Sequence, residues 1–514
     1  MPPAVSNNRT VNTVSLTRND STSFTKVQDC TVELTLLKIK FRYDFVYRQS
    51  HFRQTSCTGP KSVKALIYDR HLLRGYGNCI EAGVRTSALS IAARIAAHEE
   101  RARRFLPWTV GVFVLIGTLS WMQRAGDFAG YLTVGELALA GEHIYGSSTA
   151  GINTWPPFFS LLCVPLALLA RPTPYLARVC WLLLNFVLLW GVLRMLARLV
   201  YGADLRFLPR ATNWSLATPE ILLPVVLCYR FILGNFDHLQ VNIVIFACAL
   251  AGVYWHTRGH DLRGGMALGV AAALKVMPVV FVPYFLYRRR YRMALATATA
   301  TAAFSLSPVL VYGWPRFAEY VYAWRREVQH GWGVGKMNQS VFAMVDRYVG
   351  HGFTPFNAPV ENLIPESGSP LVMAITMAAL LAITVLGLWL FRGRAAADSP
   401  SSLVEYSVVF VVSALFGPLT WKAYLVVLLL PCTVLVRLLR RGELSPLERR
   451  VVLAALGGYA VLCDLTTPGL LGQRLAGTLE MLSTTTVGAL LILATLLWLR
   501  PRLNDAPARV ASRV

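Results

Sequence analysis

Long apolar runs recur along this 514-residue chain, with clusters of arginine between them. About 20 residues of helix cross a ~30 Å hydrocarbon core, and these runs have roughly that length. They are too continuous for the alternating strands of a membrane β-barrel. The sequence therefore predicts an all-α, polytopic transmembrane helical bundle, with spans at 105–122, 175–198, 219–234, 238–256, 293–313, 371–391, 403–419, 423–440, 450–466 and 482–499.

Composition supports the same class. The chain is 55% hydrophobic and 15% charged, with a mean hydropathy of +0.48, whereas average soluble domains carry about 25% charged residues. The net charge of +23 would suit a nucleic-acid-binding protein, but most arginines lie between apolar runs. That pattern is typical of positive-inside anchors, so the clusters mark the cytoplasmic side and place both chain ends there.

Two regions leave the number of membrane segments open between about ten and thirteen. The run at 156–170 is short and opens with two prolines, so it either dips into the bilayer and returns or crosses it. The stretch 264–287 is interrupted by KVMP, which begins at Lys275. Proline breaks a helix and a buried lysine is costly, so we expect two half-helices that meet at Lys275, as membrane sites often have.

Outside the bundle, the sequence is less informative. Residues 1–90 are polar and mixed, and we expect a disordered cytoplasmic extension or an upstream gene-model artefact. The integral membrane domain is predicted over 100–500 and a cytoplasmic tail over 501–514. The nine cysteines show no CxxC spacing, so neither a disulfide framework nor a zinc site is predicted.

Polar residues that are not anchors gather on the side opposite the arginine clusters. Under the predicted topology this outer face receives Asp127, the WPP motif at 155–157, GNFDHLQVN at 234–242, the long segment 314–369 and LTWKAY at 419–424. The cytoplasmic face therefore carries the arginine anchors, and the outer face carries acids, amides, histidine and tryptophan. This segregation favours an active site at the outer face.

Each of these elements also has a structural interpretation. Asp127 could be a helix cap, and GNFDHLQVN a capped turn before the next helix. Lys275 could extend its amine to the interface, and Lys422 beside Trp421 could be an anchor in the aromatic belt. The segment 337–349 could be an amphipathic helix that lies on the bilayer.

The segment from Asp127 to 157 resembles the first outer loop of the family 87 glycosyltransferases. In that family an acidic DF is followed by a tyrosine, a Leu-x-Gly-x-x-hydrophobic-Tyr step and an aromatic-Pro-Pro motif. The corresponding residues here are Asp127, Phe128, Tyr131, Leu139, Gly141, Ile144, Tyr145, Trp155, Pro156 and Pro157.

The resemblance continues to about residue 500. GNFDHLQVN is similar to the GQ-x-N segment of the family: either it carries an insertion after Gly234, or Gln240 and Asn242 are the matching amides. GVAAALKVMP is similar to the half-helices of the family. NQS at 338–340 and LTWKAY match later blocks. Where the family often has SW-x-H-H, this chain has Thr420-Trp421-Lys422-Ala423-Tyr424. The two histidines are therefore missing, and Lys422 is the candidate cation in their place.

The resemblance implies a GT-C-type enzyme with an outer-face catalytic loop, in the inner membrane of a bacterial cell with its active site on the extracytoplasmic face. It would transfer a hexose, typically mannose, from a polyprenyl-phosphate sugar to a glycolipid or glycan acceptor, with inversion. Asp127 would be the general base and Lys275 would stabilise the departing phosphate. The implied substrate-binding residues are Tyr131, Tyr145, Trp155, Arg230, His238, Gln240, Asn242, Asn338, Gln339, Trp421 and Lys422.

Other features of the sequence bear on cofactors and on the competing function. The sequence has no Gly-rich nucleotide-binding loop, so a nucleotide-sugar donor is not expected. It has no acidic cluster that resembles a metal site, so we expect no metal ion and no other cofactor. A lipid-linked sugar flippase or secondary transporter would also suit broken helices and a buried lysine. A transporter, however, should carry polar residues near the midplane and internal repeats, whereas here the polar residues gather at one face.

Overall fold

The structure is a computed structural model, and it describes residues 105–146, 153–207, 214–330, 333–393 and 395–503. The predicted extension at 1–90 and most of the predicted tail at 501–514 lie outside the described residues. The described residues form helices, and the only β pairing among them is three isolated bridges. The predicted all-α class is confirmed.

The first part of the described chain forms helices α1 to α10. Their bounds are α1 Phe105–Trp121, α2 Phe128–Ala140, α3 Pro157–Ala170, α4 Pro174–Leu196, α5 Pro219–Leu227, α6 Tyr229–Asp237, α7 Asn242–Thr257, α8 Asp261–Leu274, α9 Phe281–Tyr287 and α10 Tyr291–Leu306.

Helices α11 to α19 form the remainder. They are α11 Val309–Tyr312, α12 Trp314–His330, α13 Val341–Val345, α14 Pro370–Leu390, α15 Pro400–Leu415, α16 Leu429–Arg440, α17 Pro446–Tyr459, α18 Pro468–Met481 and α19 Thr484–Leu499. A 3₁₀ segment, Lys422–Leu428, leads into α16.

Proline sets the start of many of these helices. Its fixed φ suits the first helical turn, where its missing N–H removes no hydrogen bond. Helices α3, α4, α5, α14, α15, α17 and α18 all begin with proline. Ser445 and Glu448 add a reciprocal capping box at the start of α17.

Five helices are long and apolar enough to cross a membrane, and up to seven if each bent pair is one span. The five are Pro174–Tyr201, Tyr291–Tyr312, Pro370–Leu390, Lys422–Arg440 and Thr484–Arg502. The chain is therefore a multi-pass membrane protein. Six further apolar helices of 10–17 residues are shorter than these spans, so the structure gives five to seven candidate spans where about ten to thirteen membrane segments were predicted.

Breaks in the helices explain why apolar segments outnumber long spans. Helices α5 and α6 meet at Cys228 with a bend of 62°, and the α17 segment meets α18 with a bend of 83°. Helix α8 ends at Leu274, Lys275 adopts an extended conformation, and a 3₁₀ turn restarts the helix at Met277. The break predicted at Lys275 is confirmed.

Helices α8 and α10 pack in parallel through small residues. A Cβ added to Gly265 would lie 2.4 Å from the Cβ of Ala296, and one added to Gly269 would lie 2.4 Å from the Cβ of Ala300. Because both contacts advance by four residues in the same direction, the two helices run side by side with their N-termini together. Such small residues let membrane helices approach closely.

A buried ion cluster joins three helices at the end where the arginines lie. Glu405 on α15 has no exposed surface, and its carboxylate accepts a hydrogen bond from Arg500 Nε at 2.8 Å. Arg288 Nε lies 3.2 Å from the same carboxylate, and Tyr284 donates to it at 2.9 Å. These contacts fasten α9, α15 and the end of α19 to one another.

Gly265→Ala tests the close contact between α8 and α10. The new methyl group meets Ala296 on a helix that cannot yield without shifting its backbone, and overpacking of this kind costs about 1–3 kcal/mol. We expect a lower melting temperature for the purified protein in detergent.

The matched control is Gly457→Ala on α17, where an added Cβ meets nothing within 4 Å. Alanine is favoured over glycine in a helix by about 1 kcal/mol, so this variant should melt at the same temperature or higher. Equal melting temperatures for the two variants would show that α8 and α10 are not tightly packed.

Candidate functional site

A cavity of about 270 Å³ opens where the predicted outer-face motifs converge. It is bordered by the loop before α2, the start of α3, the loop before α7, the break after α8, helix α12 and the segment after α15. Six of the predicted site residues line it: Asp127, Trp155, Gln240, Asn242, Lys275 and Trp421. We call it the first cavity.

Asp127 is positioned by its own main chain. It is the residue before α2, and its N–H donates to the carbonyl oxygen of His238 at 2.9 Å. Gly126 has a φ of +52°, and a Cβ there would lie 2.5 Å from the same carbonyl. Only glycine therefore allows the two loops to meet so closely. The loop before α2 is thereby fixed against the loop that follows α6.

A chain of three side-chain hydrogen bonds connects Asp127 to Lys275. Gln240 Nε2 donates to Asp127 Oδ2 at 2.6 Å, and Asn242 Nδ2 donates to Gln240 Oε1 at 2.8 Å. Lys275 Nζ then donates to Asn242 Oδ1 at 3.4 Å. The two amides thus connect an acid and a base of opposite charge without bringing them into direct contact.

Lys275 has a second partner. Its Nζ lies 4.0 Å from the centre of the Tyr424 ring, a cation–π geometry. Together with the Asn242 hydrogen bond, this contact holds the ammonium group at the cavity wall, although Lys275 interrupts an otherwise apolar stretch. The costly lysine is therefore accommodated inside the protein.

The surroundings of Asp127 alter its acidity. The residue lies in the loop between α1 and α2, outside the helices that are long enough to cross a membrane. Burial raises the pKa of its carboxyl group to about 7, although Lys275 and the hydrogen bond from Gln240 act in the opposite direction. A carboxylate with such a pKa can accept a proton near neutral pH.

Aromatic rings form one wall of the first cavity. Trp155 stacks on Phe159 with ring centres 5.2 Å apart, and the edge of Tyr131 contacts Trp155 at 4.8 Å. Tyr145 Oη donates to the carbonyl oxygen of Trp155 at 2.7 Å. Tyr131 and Tyr145, both predicted to bind substrate, therefore lie behind Trp155 and support it.

A second cavity of about 430 Å³ adjoins the first, and Gln240 and Trp421 line both. Arg230, His238 and Lys422, three further predicted site residues, line only this second cavity. Burial lowers the pKa of His238 below its usual range. Near neutral pH the positive charges of this cavity are therefore those of Arg230 and Lys422.

Glu480 on α18 holds both of these cations. Lys422 Nζ donates to Glu480 Oε1 at 2.6 Å, and Arg230 Nη2 donates to the same oxygen. Arg230 Nη1 also donates to the carbonyl oxygen of Cys463 at 2.6 Å. The Glu480 side chain is only 3% exposed. Two cations on one carboxylate leave this cluster with a net positive charge.

Asn338 and Gln339, both predicted to bind substrate, line neither of the two cavities. Asn338 Nδ2 donates to the carbonyl oxygen of Pro418 at 3.0 Å, and its Oδ1 accepts from the N–H of Thr420 at 3.1 Å. Gln339 Nε2 donates to the main-chain carbonyl of Glu480 at 2.9 Å. Both amides thus hold the main chain next to Trp421 and Glu480. Their contact with a sugar stays a prediction.

Two residues that border the cavities, Trp324 and Glu480, were not predicted from the sequence. Trp324 on α12 lines the first cavity, and its Nε1 donates to the carbonyl oxygen of Thr154 at 3.0 Å. Glu480 could have been noticed as an isolated acid in an apolar region of a chain that is short of acids. Trp324 carries no such signal, because tryptophan is common near membrane interfaces.

The acids near the site are spread apart. Asp127 borders the first cavity, whereas Asp237 and Glu480 border the second. Across the described ranges, no three His, Cys, Asp or Glu side chains come together in an arrangement that could hold a metal ion. The expectation of metal-independent chemistry stays a prediction.

Residues 153–418 of this chain match the model of glycosyltransferase family 87. The matched range includes Trp155, Gln240, Asn242 and Lys275, whereas Asp127 lies before it. The family match therefore covers much of the first cavity and does not extend to its acid.

Two mycobacterial proteins are similar in sequence, each described as a polyprenol-phosphate-mannose-dependent alpha-(1-2)-phosphatidylinositol mannoside mannosyltransferase. The one from Mycolicibacterium smegmatis is 27% identical over 284 residues, which cover 52% of this chain and 58% of that protein. The one from Mycobacterium tuberculosis is 27% identical over 354 residues, 64% of this chain and 73% of that protein. The chain thus spans less than two thirds of the length of the M. smegmatis relative.

Among solved structures, ArnT from Cupriavidus metallidurans is similar. The crystal structure bound to undecaprenyl phosphate has a TM-score of 0.39 and 17% identity, and covers 77% of this chain and 78% of that one. The structure in the apo state has a TM-score of 0.38 and 15% identity, with 77% of each chain covered.

Glu480→Ala tests the cation cluster of the second cavity. The substitution leaves Arg230 and Lys422 without their shared carboxylate in a buried setting, which typically costs about 3–5 kcal/mol. We expect a clear fall in the melting temperature of the purified protein.

Asp204→Ala is the matched control, because Asp204 also forms ion pairs with several arginines but is exposed to solvent. Arg198 Nη2 lies 2.6 Å from its carboxylate, and both side chains are well exposed. Exposed ion pairs contribute little to stability, so this variant should melt close to the wild type. A Glu480→Ala protein as stable as Asp204→Ala would contradict the buried cluster.

Proposed function

Because this chain belongs to glycosyltransferase family 87, we propose that it is a membrane glycosyltransferase that uses a polyprenyl-phosphate sugar as donor. The sugar is a hexose, namely mannose, as in the names of the two mycobacterial relatives. The acceptor is a glycolipid or glycan at the extracytoplasmic face of a bacterial inner membrane. The observation that carries the proposal is the hydrogen-bonded connection of Asp127 with Lys275 at the wall of one cavity.

In this proposal Asp127 is the general base. An acceptor hydroxyl is a poor nucleophile at neutral pH, and a carboxylate within hydrogen-bond reach can take its proton as the oxygen attacks. The new bond joins the acceptor oxygen to the anomeric carbon, while the bond from that carbon to the phosphate oxygen breaks. The proton passes to Asp127, and polyprenyl phosphate leaves. A single displacement of this kind inverts the anomeric configuration.

Lys275 stabilises the charge that develops on the departing phosphate. A fixed cation in a water-poor cleft is worth more there than in bulk solvent. Its contacts with Asn242 and Tyr424 support this role, because they leave the ammonium group ordered at the cavity wall. Arg230, His238 and Lys422 in the adjoining cavity supply further polar groups for the phosphate or for the acceptor.

Trp155 and Trp421 contact the sugar faces, and the amides of Gln240 and Asn242 orient its hydroxyl groups. Aromatic side chains with a few directed polar groups are typical of small-molecule sites. Because Lys275 provides the positive charge, the reaction needs neither a divalent metal ion nor another cofactor. Transfer should therefore continue in the presence of EDTA.

Asp127→Asn tests the assigned base. Membranes that carry the protein are given radiolabelled polyprenyl-phosphate mannose and a lipid extract, and the labelled product is counted. Loss of a general base typically lowers the rate by about 10²–10⁴-fold, and we expect a loss in that range. Parallel reactions with the arabinose and glucose donors establish donor preference.

Glu136→Gln is the matched control, because Glu136 is an exposed acid on the same helix, α2. It should transfer mannose at the wild-type rate. Undiminished transfer by Asp127→Asn would remove Asp127 from its role. Movement of the labelled lipid across the membrane without any transfer would favour the flippase or transporter function instead.

The pH dependence of transfer should follow the ionisation of Asp127. Since its pKa is raised to about 7, a base at this position is largely protonated and inactive below that pH. The rate should therefore rise with pH through a midpoint near 7. Removing the positive charge with Lys275→Met removes an interaction that lowers this pKa, so the midpoint should move to higher pH.

A merely structural role for Lys275 would lower the rate at every pH without moving the midpoint. The profile of kcat/KM against pH, measured for the wild type and for Lys275→Met, separates the two cases. A midpoint that stays in place, or moves to lower pH, would contradict the proposed electrostatic coupling.

A further inference from the structure

A groove of about 870 Å³ lies between α8 and α10, at the end of the bundle where both helices begin. This groove is distinct from the two cavities described above, since none of its lining residues borders them. The parallel packing of the two helices brings their first turns together and leaves a trough between them. Its chemistry differs between its mouth and its floor.

The mouth of the groove is basic. Arg263 at the start of α8 and Arg292 at the start of α10 both line it and are exposed. Neither guanidinium group forms a hydrogen bond or an ion pair with a side chain in the part of the chain that the structure describes. By contrast, the carboxylate of Asp261 at the same mouth already lies 2.7 Å from His256 Nδ1. Among the described residues, the two guanidinium groups at the mouth therefore form no ion pair, and Asp261 is engaged with His256 instead.

The floor and rims are apolar. Leu262 on α8 is 70% exposed and Leu295 on α10 is 69% exposed. Met266 on α8 also lines the groove. The lining of α10 continues from Arg292 to Ala303, eleven residues further, which corresponds to about 16 Å of helix. Large exposed side chains of this kind on a membrane helix are suited to contact with hydrocarbon chains.

We propose that this groove binds one anionic glycerophospholipid of the surrounding membrane. Its phosphate pairs with Arg263 and Arg292, and an acyl chain lies along α10 as far as Ala303. Basic pockets between transmembrane helices bind anionic head groups in this manner. The basic mouth and the apolar lining together match such a lipid. A zwitterionic lipid also has a phosphate, but its head-group cation offsets that charge and is repelled by the two arginines.

The bound lipid is separate from the sugar donor. Helix α8 has 14 residues, so its first turn lies about 20 Å from Lys275 at its other end. A phosphate held by Arg263 and Arg292 is thus too far from Asp127 and Lys275 to react. The lipid instead braces the N-terminal turns of the helix that carries Lys275 at its end.

Native mass spectrometry of the purified full-length protein in detergent tests the proposal. The protein is titrated with phosphatidylglycerol or phosphatidylcholine, and the dissociation constant of the first lipid adduct is measured for each. We expect tighter binding of phosphatidylglycerol. The double variant Arg263→Gln, Arg292→Gln should weaken that adduct by about 30-fold, since each basic residue contributes about fivefold.

The control Arg449→Gln, Arg450→Gln removes the same charge from an exposed basic pair at the start of α17, outside the groove. It should bind phosphatidylglycerol as the wild type does. Ala303→Trp fills the apolar floor while it leaves both arginines in place, and it too should weaken the adduct. Size-exclusion profiles and melting temperatures without added lipid establish that each variant is folded.

Three results would overturn the proposal. The first is equal affinity for phosphatidylglycerol and phosphatidylcholine. The second is equal weakening by the Arg263, Arg292 variant and by the Arg449, Arg450 control, which would indicate a general effect of surface charge. The third is displacement of phosphatidylglycerol by equimolar undecaprenyl phosphate in the wild type, which would assign the groove to the carrier lipid.

Discussion

A charge without a partner inside an apolar helical bundle costs several kcal/mol, and the described helices satisfy this constraint repeatedly. Glu405 is paired with Arg288 and Arg500 at the basic end. Glu480 is paired with Arg230 and Lys422 beside the second cavity. Each cluster connects helices that are far apart in sequence, so the pairing of buried charge determines which helices meet.

Asp127 and Lys275 meet the same constraint differently. Two amides, Gln240 and Asn242, stand between their charges, whereas the other clusters have direct ion pairs. A direct pair would hold the carboxylate firmly ionised and engaged with its partner. The indirect connection leaves one carboxylate oxygen of Asp127 and the ammonium group at a cavity wall, where a substrate can reach them. The two amides thus provide hydrogen-bond partners for both buried charged groups, while both groups still line the cavity.

Much of this arrangement could be predicted from the sequence, because local signals were strong. Apolar runs predicted the helices, and the lysine and proline of KVMP predicted the break after α8. The resemblance to family 87 assigned Asp127 and Lys275 to one site, and the arginine clusters placed Asp127 on the opposite face. Partners such as Glu480 depend on contacts between distant helices, and no local pattern reveals them. For the same reason the sequence did not indicate that Tyr131 packs behind Trp155.

The break at Lys275 has an electrical consequence. Helix α8 ends at Leu274, so the partial negative charge of its C-terminal carbonyl groups lies next to the main chain of Lys275. A helix dipole favours a cation at this end and disfavours an anion. From this end of α8 the Lys275 side chain extends to Asn242, the first residue of α7, and to the ring of Tyr424. The residue at the end of this interrupted helix thus has the sign of charge that the helix dipole favours.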